Sequence, residues 1–411
     1  MSTTHQEQLQ KYADLVLKVG INLQPNQGLV LNFTKDSLDL ARLIVAKAYA
    51  MGAKHVVTMF GDDEFTLARY KNADAKVFEN FPPYLVEMYK NLYLDDYHHL
   101  FLASPNPKLL SSVDPKIVAT DSKTSGVAMA DVQKYRMTGH TKWCIAAVPC
   151  EAWAISVFPD LDPQDAIDRL WEKVLDAMRV SRPDPIAAWE EHQKNLSKYR
   201  GYLNEQKFKS LHFQSPRTDL VVELAEDHHW MGGGKDSLAG EMFVANIPTE
   251  EVFTTPHRLR VNGHVEATKP LSLRGQLIEG FGFTFKDGAV TDFHAEQGYE
   301  VLKQLIETDE GARRLGEVAL VQHDSPISNT GILFNNTLFD ENASIHLAFG
   351  KAYSYAMENG AQCSEEELKA RGANDSVVHV DFMIGSSDMT VTAERHNGET
   401  VTLFQDGNWV F

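Results

Sequence analysis

The sequence is poor in the features that identify several large classes of protein. Its three cysteines, Cys144, Cys150 and Cys363, are an odd number, and the spacing of the first two does not match a zinc ribbon. We interpret them as reduced, structural thiols. No uninterrupted apolar stretch approaches the roughly 20 residues of a membrane-spanning helix, and the N-terminus lacks the charged and apolar blocks of a signal peptide. We therefore expect a cytoplasmic protein with no membrane partner.

Runs of basic residues are also absent. The chain has 411 residues, with 39 Lys and Arg against 57 Asp and Glu and a formal net charge of -18. Phosphate binding needs clustered positive charge, so we expect no nucleic-acid partner. With 43% hydrophobic and 23% charged residues, the composition indicates a globular protein with enough chain for two domains and substantial cores.

Common catalytic signatures are missing as well. There is no HExxH zinc pair and no Gly-x-Ser-x-Gly nucleophile elbow. The stretch "WMGGGKDS", residues 230–237, has His229 where a phosphate loop needs its first glycine and Asp236 where it needs Ser or Thr. We interpret it as a flexible loop. The zincin, serine-hydrolase and phosphate-loop classes are therefore disfavoured.

The first part of the chain alternates strand and helix patterns. Short apolar strands such as "GLVLNF" (28–33) and "KHVVTMF" (54–60) are separated by helical periods. Two further helices are expected over 163–200, with a break at the prolines of "SRPDPI". Strands separated by helices predict a mostly parallel sheet with covering helices. We assign this pattern to an N-terminal α/β domain, residues 1–195.

The sequence pattern changes after about residue 200. Short β-rich segments such as "DLVVELA" and "GAVTDFH" are separated by turn residues, including Asn-Gly and Asp-Gly, which are strong hairpin signals. One helix is expected over 295–311. The predicted fold class is therefore α/β, with a C-terminal, mainly antiparallel and β-rich domain over residues 196–411.

One predicted strand of this second domain presents an imidazole and a carboxylate on the same face. In "SVVHVDFMIGSSD", residues 376–388, apolar side chains alternate with His379 and Asp381. Residues two apart on a strand point the same way. The pair suits a shared metal ion or a His–Asp hydrogen bond. A solvated outer face of an edge strand fits the same pattern.

Three further acids occupy unusual settings. In "NIPTEEVFTTP" (246–256), Glu250 and Glu251 are adjacent before a β-prone run. Neighbouring side chains of an extended chain point to opposite faces, so at most one of the two is a direct ligand of a small site. Glu317 opens the apolar strand of "RLGEVALV". It is either solvated or at the edge of a site.

The segment "LFDENASIHLAFGKAY", residues 338–353, places Glu341, His346 and Tyr353 among mostly small and apolar residues. An ordinary core element with satisfied polar groups is one interpretation. If Glu341 and His346 bind together, the chain must bend near 342–344, because neither helix nor strand spacing aligns residues five apart.

Together these residues form a mixed oxygen and nitrogen ligand set. Such a set is expected for two adjacent divalent ions of the zinc, cobalt or manganese type. A bridging carboxylate would hold the ions roughly 3.5–4 Å apart. The candidate metal ligands are Glu251, Glu317, Glu341, His346, His379 and Asp381.

These motifs, in this order and approximate spacing, resemble the thermophilic metallo-aminopeptidases, also called aminopeptidase T, aminopeptidase S or PepS. The likeness rests on "NIPTEEVFTTP", "GEVALV", "DSPIS", "LFDENASIHLAFGKAY" and "HVDFMIGSSDM", and it covers almost the whole chain. The resemblance implies that the six residues are ligands of two metal ions, with Glu251 favoured over Glu250, and that Tyr353 is catalytic. It also implies peptide substrates with a free N-terminus and a homodimer.

The implied reaction is hydrolysis of the first peptide bond by a hydroxide that bridges the two ions. Glu317 or Glu250 would transfer the proton to the leaving amine, and Tyr353 would stabilise the oxyanion. No further cofactor is expected. Two alternatives remain, namely another two-metal amide hydrolase, such as an amidase or deacylase, and a non-enzymatic binding protein stabilised by metal.

Overall fold

The computed structural model describes residues 3–273 and 276–411, and the chain divides into two compact units. The first contains the described residues up to Glu191 together with Gly234–Pro248, and the second contains His192–Gly233 and Thr249–Phe411. Residues 234–248 group with the first unit, whereas the sequence analysis assigned them to the second predicted domain, 196–411.

The first unit is built on a parallel sheet. Every neighbouring pair of its strands is parallel. The interior strand Gly28–Thr34 includes Leu29, Val30 and Leu31, which are fully buried, as expected where a parallel sheet is covered on both faces. In sheet order the five strands are Asn246–Ile247, Trp143–Ala147, Tyr97–Ala103, Gly28–Thr34 and His55–Gly61.

Helices connect these strands, as the alternating pattern predicted. In Pro163–Ala177 a proline occupies the first turn and Ala166, Leu170 and Val174 recur on the buried face. The next helix, Pro185–Gln206, follows the predicted break. The prediction of a parallel sheet with helices is confirmed. The other helices of this unit are Thr3–Leu15, Leu38–Ala50, Asp63–Asn72, Pro83–Leu94, Pro115–Met137 and Glu151–Val157.

Among the described residues, no helix combines the length and the apolarity needed to span a bilayer.

The second unit contains a large antiparallel sheet. Thr218–Leu224 is representative, because its residues are alternately buried and accessible, with Leu220 and Val222 in the core. The nine strands of the sheet are Ser210–Ser215, Thr218–Leu224, Pro256–Glu266, Leu271–Leu273, Gln276–Lys286, Ala289–Gln297, Thr390–Glu394, Thr400–Gln405 and Asn408–Trp409.

A second antiparallel sheet in this unit has five strands. Its order is His379–Met383, His346–Gly350, Leu315–Leu320, Val252–Thr254 and Met231–Gly232. Side chains from both sheets contribute to one apolar core. The antiparallel, β-rich prediction for the C-terminal part is confirmed. The helices of the unit that follow Pro185–Gln206 are Tyr299–Ile306, Thr337–Asp340 and Glu365–Ala370.

Two local predictions were wrong. The helix expected over 295–311 is limited to Tyr299–Ile306, because the residues before it extend the strand Ala289–Gln297 up to Gly298. The glycine-rich segment 230–237, interpreted as a flexible loop, contains the short strands Met231–Gly232 and Lys235–Asp236. In both cases pairing with a neighbouring strand decides the structure, and the local pattern of residues does not report that pairing.

Candidate metal centre

The five-stranded sheet of the second unit separates polar from apolar side chains. Glu317 is paired with Ala348, and Ala348 with Asp381, so these three residues lie in one row on one face. In the next row His346 is paired with Ala319. The opposite face contributes Val318, Leu347, Phe382 and their neighbours to the apolar core. The alternation that places the hydrophobic residues in the core therefore brings the polar residues together on the other face.

Small residues leave space on the polar face. Ala319 and Ala348 lie between the polar side chains, and Gly350 is paired with His379. Gly350 has φ +95°, and a Cβ atom at this position would lie 2.0 Å from the carbonyl oxygen of Val378. A side chain is therefore excluded at this residue.

The polar groups are within contact distance of one another. His346 Nε2 lies 3.1 Å from Glu251 Oε2 and 3.6 Å from Glu317 Oε1. His379 Nε2 lies 3.7 Å from the other oxygen, Glu317 Oε2, and 3.4 Å from Asp381 Oδ1. Ligand atoms of Glu251, Glu317 and His346 all lie within 4.8 Å of one another. Glu317 thus lies between the two imidazoles, with one oxygen towards each.

Both histidines are oriented by backbone carbonyls. His346 Nδ1 donates to the carbonyl of Ser344 at 3.1 Å, and His379 Nδ1 donates to the carbonyl of Lys351 at 2.8 Å. Because each Nδ1 is the donor, each Nε2 is directed at the carboxylates. A hydrogen bond of this kind from the remote ring nitrogen is the usual support of a metal-binding imidazole.

Glu341 joins this group from outside the sheet. It begins the 3-10 turn Glu341–Ala343, after which Ser344 is extended and the strand starts at His346. This is the bend that binding by both Glu341 and His346 requires. Glu341 and Asp381 line one cavity of about 60 Å³, which is large enough for water or an ion.

Burial and mutual repulsion shift the pKa values of these groups. Burial, with the charges of Glu251 and Asp381, raises the pKa of Glu317 to about 7. Burial also raises the pKa of Glu341 well above its ordinary value, with Asp381 and Glu251 adding to the shift. Without a cation, Glu317 and Glu341 are therefore costly to ionise beside the neighbouring carboxylates.

The imidazoles respond in the opposite way. Burial disfavours the charged form of His379, but contact with Asp381 and the charge of Glu317 outweigh burial and raise its pKa to about 9. The pKa of His346 is raised well above its ordinary value, because Glu251 and Glu317 likewise outweigh burial. Protons on the two histidines compensate part of the negative charge, which is the role that bound cations would take.

This donor set fits divalent ions. It combines carboxylate oxygens with oriented imidazole nitrogens, as zinc, cobalt and manganese require. In addition, Asp381 Oδ1 is buried, and no hydrogen-bond donor is aligned with it among residues 3–273 and 276–411. A buried carboxylate oxygen without a donor is expensive unless a cation satisfies it.

Two tyrosines border the group. The ring of Tyr353 lies 4.8 Å from that of His379 and stacks on Tyr355 at 5.1 Å. Burial, with the charge of Glu317, raises the pKa of both hydroxyls, so both remain protonated donors at neutral pH. The sequence analysis selected Tyr353 and missed Tyr355, for which its position two residues later was the only signal.

Adjacent Glu250 and Glu251 have different surroundings. Glu251 contacts His346, whereas the carboxylate of Glu250 lies 3.6 Å from His192 Nε2. The backbone N–H of Glu250 donates to Asn342 Oδ1 at 2.7 Å. His192 and Asn342 were not singled out from the sequence, because neither lies in a pattern that distinguishes it from an ordinary polar residue.

Comparisons with known proteins identify the family of this chain. The family described as thermophilic metalloprotease (M29) matches residues 5–409. Aminopeptidase 2 of Geobacillus stearothermophilus is 47% identical and aligns over 99% of this chain and 98% of its own length. Aminopeptidase T of Thermus aquaticus is 41% identical, with 98% of each chain covered.

A solved structure shows the same fold. Wild-type AmpT from Thermus thermophilus superposes with a TM-score of 0.92 at 40% sequence identity, covering 99% of this chain and 100% of that one. At this identity and coverage, the similarity indicates a shared family as well as a shared fold class. The resemblance read from the motifs and the predicted class of enzyme, a metallo-aminopeptidase, are confirmed at the level of family. The chain belongs to the thermophilic metalloprotease family M29.

Proposed function

We propose that this chain is a dinuclear metal-dependent aminopeptidase that removes N-terminal residues from peptides. The observation that supports it most directly is the position of Glu317, whose two oxygens face different imidazoles at 3.6 Å and 3.7 Å. A carboxylate placed in this way suits a bridge between two zinc, cobalt or manganese ions. The proposed ligands are Glu251, Glu317, Glu341, His346, His379 and Asp381.

In this proposal, different side chains of the protein have different roles in hydrolysis. When bound, two divalent ions would lower the pKa of an intervening water towards neutrality, so that hydroxide is available, and would polarise the scissile carbonyl. Glu317 or Glu250 would accept the proton of the attacking water and pass it to the leaving amine, and Glu317 could do so only through an oxygen that does not bind an ion. Tyr353 donates a hydrogen bond to the oxyanion, a role supported by its contact with His379.

Surplus negative charge explains the proposed restriction to N-terminal residues. Two bound divalent ions would neutralise the four ligand carboxylates, so a further carboxylate beside them, such as that of Glu250, would attract the α-ammonium group of a peptide. An N-acetylated peptide lacks this charge. It should be cleaved far more slowly than its free counterpart, and equal rates would favour the amidase or deacylase alternative.

The decisive experiment is release of free amino acid from a short peptide panel. The metal-stripped protein should be inactive, and resupply with zinc, cobalt or manganese should restore stepwise loss from the N-terminus. A His379→Ala/Asp381→Ala double variant should stay inactive. A matched control is His212→Ala/Asp219→Ala, because His212 and Asp219 form a solvent-accessible His–Asp pair across two neighbouring strands at 2.6 Å.

If the metal-loaded wild type releases no amino acid from any free-amine peptide, the proposal is overturned. Metal-independent release, or equal loss in the control variant, would also contradict it. A rise in melting temperature with metal but no turnover would support the binding-protein alternative.

We also propose a cytoplasmic homodimer. Support comes from the family resemblance and from the three cysteines, which are all free, as expected in a reducing compartment. Light scattering during size-exclusion chromatography should give twice the chain mass of 46.1 kDa. A monomer over the whole concentration range would contradict the dimer, and cell fractionation tests the location.

A further inference from the structure

The six proposed ligands differ in how the fold holds them. Glu317, His346, His379 and Asp381 lie on strands and are held by ladder hydrogen bonds. Glu251 and Glu341 lie outside regular strands. Glu251 directly precedes Val252–Thr254, and Glu341 begins a 3-10 turn. These two ligands therefore depend on other contacts for their position.

One side chain, that of Asn342, contacts both segments. Its Oδ1 accepts the backbone N–H of Glu250, directly before Glu251, at 2.7 Å. Its Nδ2 donates to the carbonyl of Leu338 at 3.1 Å and to Glu341 Oε1 at a longer 3.4 Å. Asn342 is completely buried. Both of its N–H groups and its oxygen are engaged, so the side chain has a single favourable orientation.

The contacts also determine which way the amide is turned. Of the two polar atoms of the side-chain amide only the oxygen accepts a hydrogen bond, so Oδ1 faces the N–H of Glu250, and Nδ2 must face the Leu338 carbonyl and the Glu341 carboxylate. Asn342 thus ties the position of one acidic segment to that of the other. Movement of either segment would break a buried hydrogen bond.

A neutral amide is the suitable group for this position. Lysine or arginine would neutralise Glu341 and compete with a bound cation for its charge. An ionised aspartate would repel Glu341 and offer no donor. Asparagine orients the carboxylate and leaves its charge available for an ion, as residues that support metal ligands commonly do.

We infer that Asn342 is a positioning residue, which holds Glu251 and Glu341 where they bind the metal ions without binding an ion itself. The inference rests on the proposed function, because it assumes that these carboxylates are ligands. Loss of the amide should weaken metal binding more than it weakens the fold.

The test compares Asn342→Ala and Asn342→Ser with Asn204→Ala in the full-length protein. Asn204 is a matched control because its amide bridges the backbone N–H and carbonyl of Trp230 at 2.8 Å and 3.0 Å, away from the proposed ligands. Equilibrium dialysis with Zn²⁺ or Co²⁺ alone, followed by elemental analysis, gives the ions bound per chain. Thermal melts of the stripped proteins report the structural cost.

We expect the dissociation constant of at least one ion to rise about 10- to 100-fold in the Asn342 variants. Asn204→Ala should bind both ions as the wild type does, at a similar cost in melting temperature. Activity of the Asn342 variants should return when metal is added in excess, because positioning limits occupancy and not the chemical step. Serine is included because its hydroxyl satisfies part of the buried site if alanine prevents folding.

Wild-type affinity in either folded Asn342 variant would overturn the inference and leave the proposed function intact. Equal loss of metal in Asn204→Ala would also overturn it, since the effect would then be a general loss of stability. A wild type that binds no metal while remaining folded would overturn both the inference and the proposed function.

Discussion

At the residue scale, Glu317 makes the contacts on which the centre depends. It is nearly fully buried, and its two oxygens contact His346 and His379. Glu250, the other candidate for proton transfer, contacts His192 instead. A neutral substitution of Glu317 would remove its contacts with both histidines, whereas a neutral substitution of Glu250 would remove its contact with His192. Comparing the two variants therefore separates the roles of the two glutamates.

We expect Glu317→Gln to lose metal as well as activity, because an amide is a poor bridge between two cations. Glu250→Gln should retain both ions and most of its activity. The measurements are ions bound per chain and kcat with a single peptide. If Glu250→Gln instead lowers kcat by about 10²- to 10⁴-fold with both ions bound, proton transfer belongs to Glu250.

Tyr353 is expected to act through its hydroxyl alone. Tyr353→Phe should lower kcat by about 10²- to 10³-fold, the usual cost of removing one oxyanion donor, while metal content and melting temperature change little. Tyr355→Phe is the matched control, because its ring stacks on Tyr353 and is similarly buried. A larger loss in Tyr355→Phe would assign the donor role to Tyr355.

At the element scale, the antiparallel sheet aligns the ligands. Pairing places Glu317 in register with Ala348 and Asp381, and the same alternation places Leu347 and Phe382 in the core. A slip of one residue would exchange the two faces, because strand side chains alternate with period two. The hydrophobic core therefore fixes the register of the candidate metal centre.

The variant Gly350→Ala tests whether the candidate metal centre depends on the geometry of the sheet. Gly350→Ala should destabilise the protein by about 2–4 kcal/mol, because a Cβ atom would meet the Val378 carbonyl at 2.0 Å. It should also weaken metal binding by displacing His379, its pairing partner. The measurements are urea unfolding and metal titration.

The variant Gly398→Ala separates the effect of backbone strain from the effect of the collision between residue 350 and the Val378 carbonyl. Gly398 has φ +87° and nothing within 4 Å of an added Cβ, so the substitution should cost only about 1 kcal/mol and leave metal affinity unchanged. Equal effects in the two variants would show that the close approach to residue 378 is unimportant.

At the scale of the whole molecule, the centre couples stability to pH. Folding raises the pKa of Glu317 from 4.5 to about 7 and that of His379 from 6.5 to about 9. In both groups the folded, metal-free state binds a proton that the unfolded state releases. The stabilisation is present below the unfolded pKa and is lost as pH rises through the folded pKa.

The melting temperature of metal-free protein should accordingly fall between about pH 7 and pH 9. Below this range histidines such as His98 and His228, whose pKa values are lowered by burial, act in the opposite direction. Added zinc or cobalt should raise the melting temperature more at pH 8 than at pH 5.5, because the ligands must release protons to bind. Differential scanning calorimetry at constant ionic strength measures both. A metal-free protein that becomes more stable from pH 7 to pH 9 would contradict the assigned direction. The His379→Ala/Asp381→Ala variant serves as control and should show a weaker dependence.

Prediction from sequence succeeded where local pattern carries the information. The period-two placement of His379 and Asp381 follows from backbone geometry, and their strand is observed at His379–Met383. It failed at residues 295–297, which continue a strand because of pairing with Gln276–Lys286. It also did not predict the strand Asn246–Ile247, which joins the parallel sheet beside Trp143–Ala147. A local sequence pattern does not indicate which distant strand a segment pairs with.

The sequence by itself determined the alternation that separates polar from apolar faces and the donors available to a metal ion. Only the tertiary structure decided that Glu251 and Glu341 both interact with His346 and that the side chain of Asn342 contacts both of their segments. The physical reason is that side-chain direction is a local property of the backbone. Convergence of distant segments depends instead on long-range pairing and on burial of the whole core.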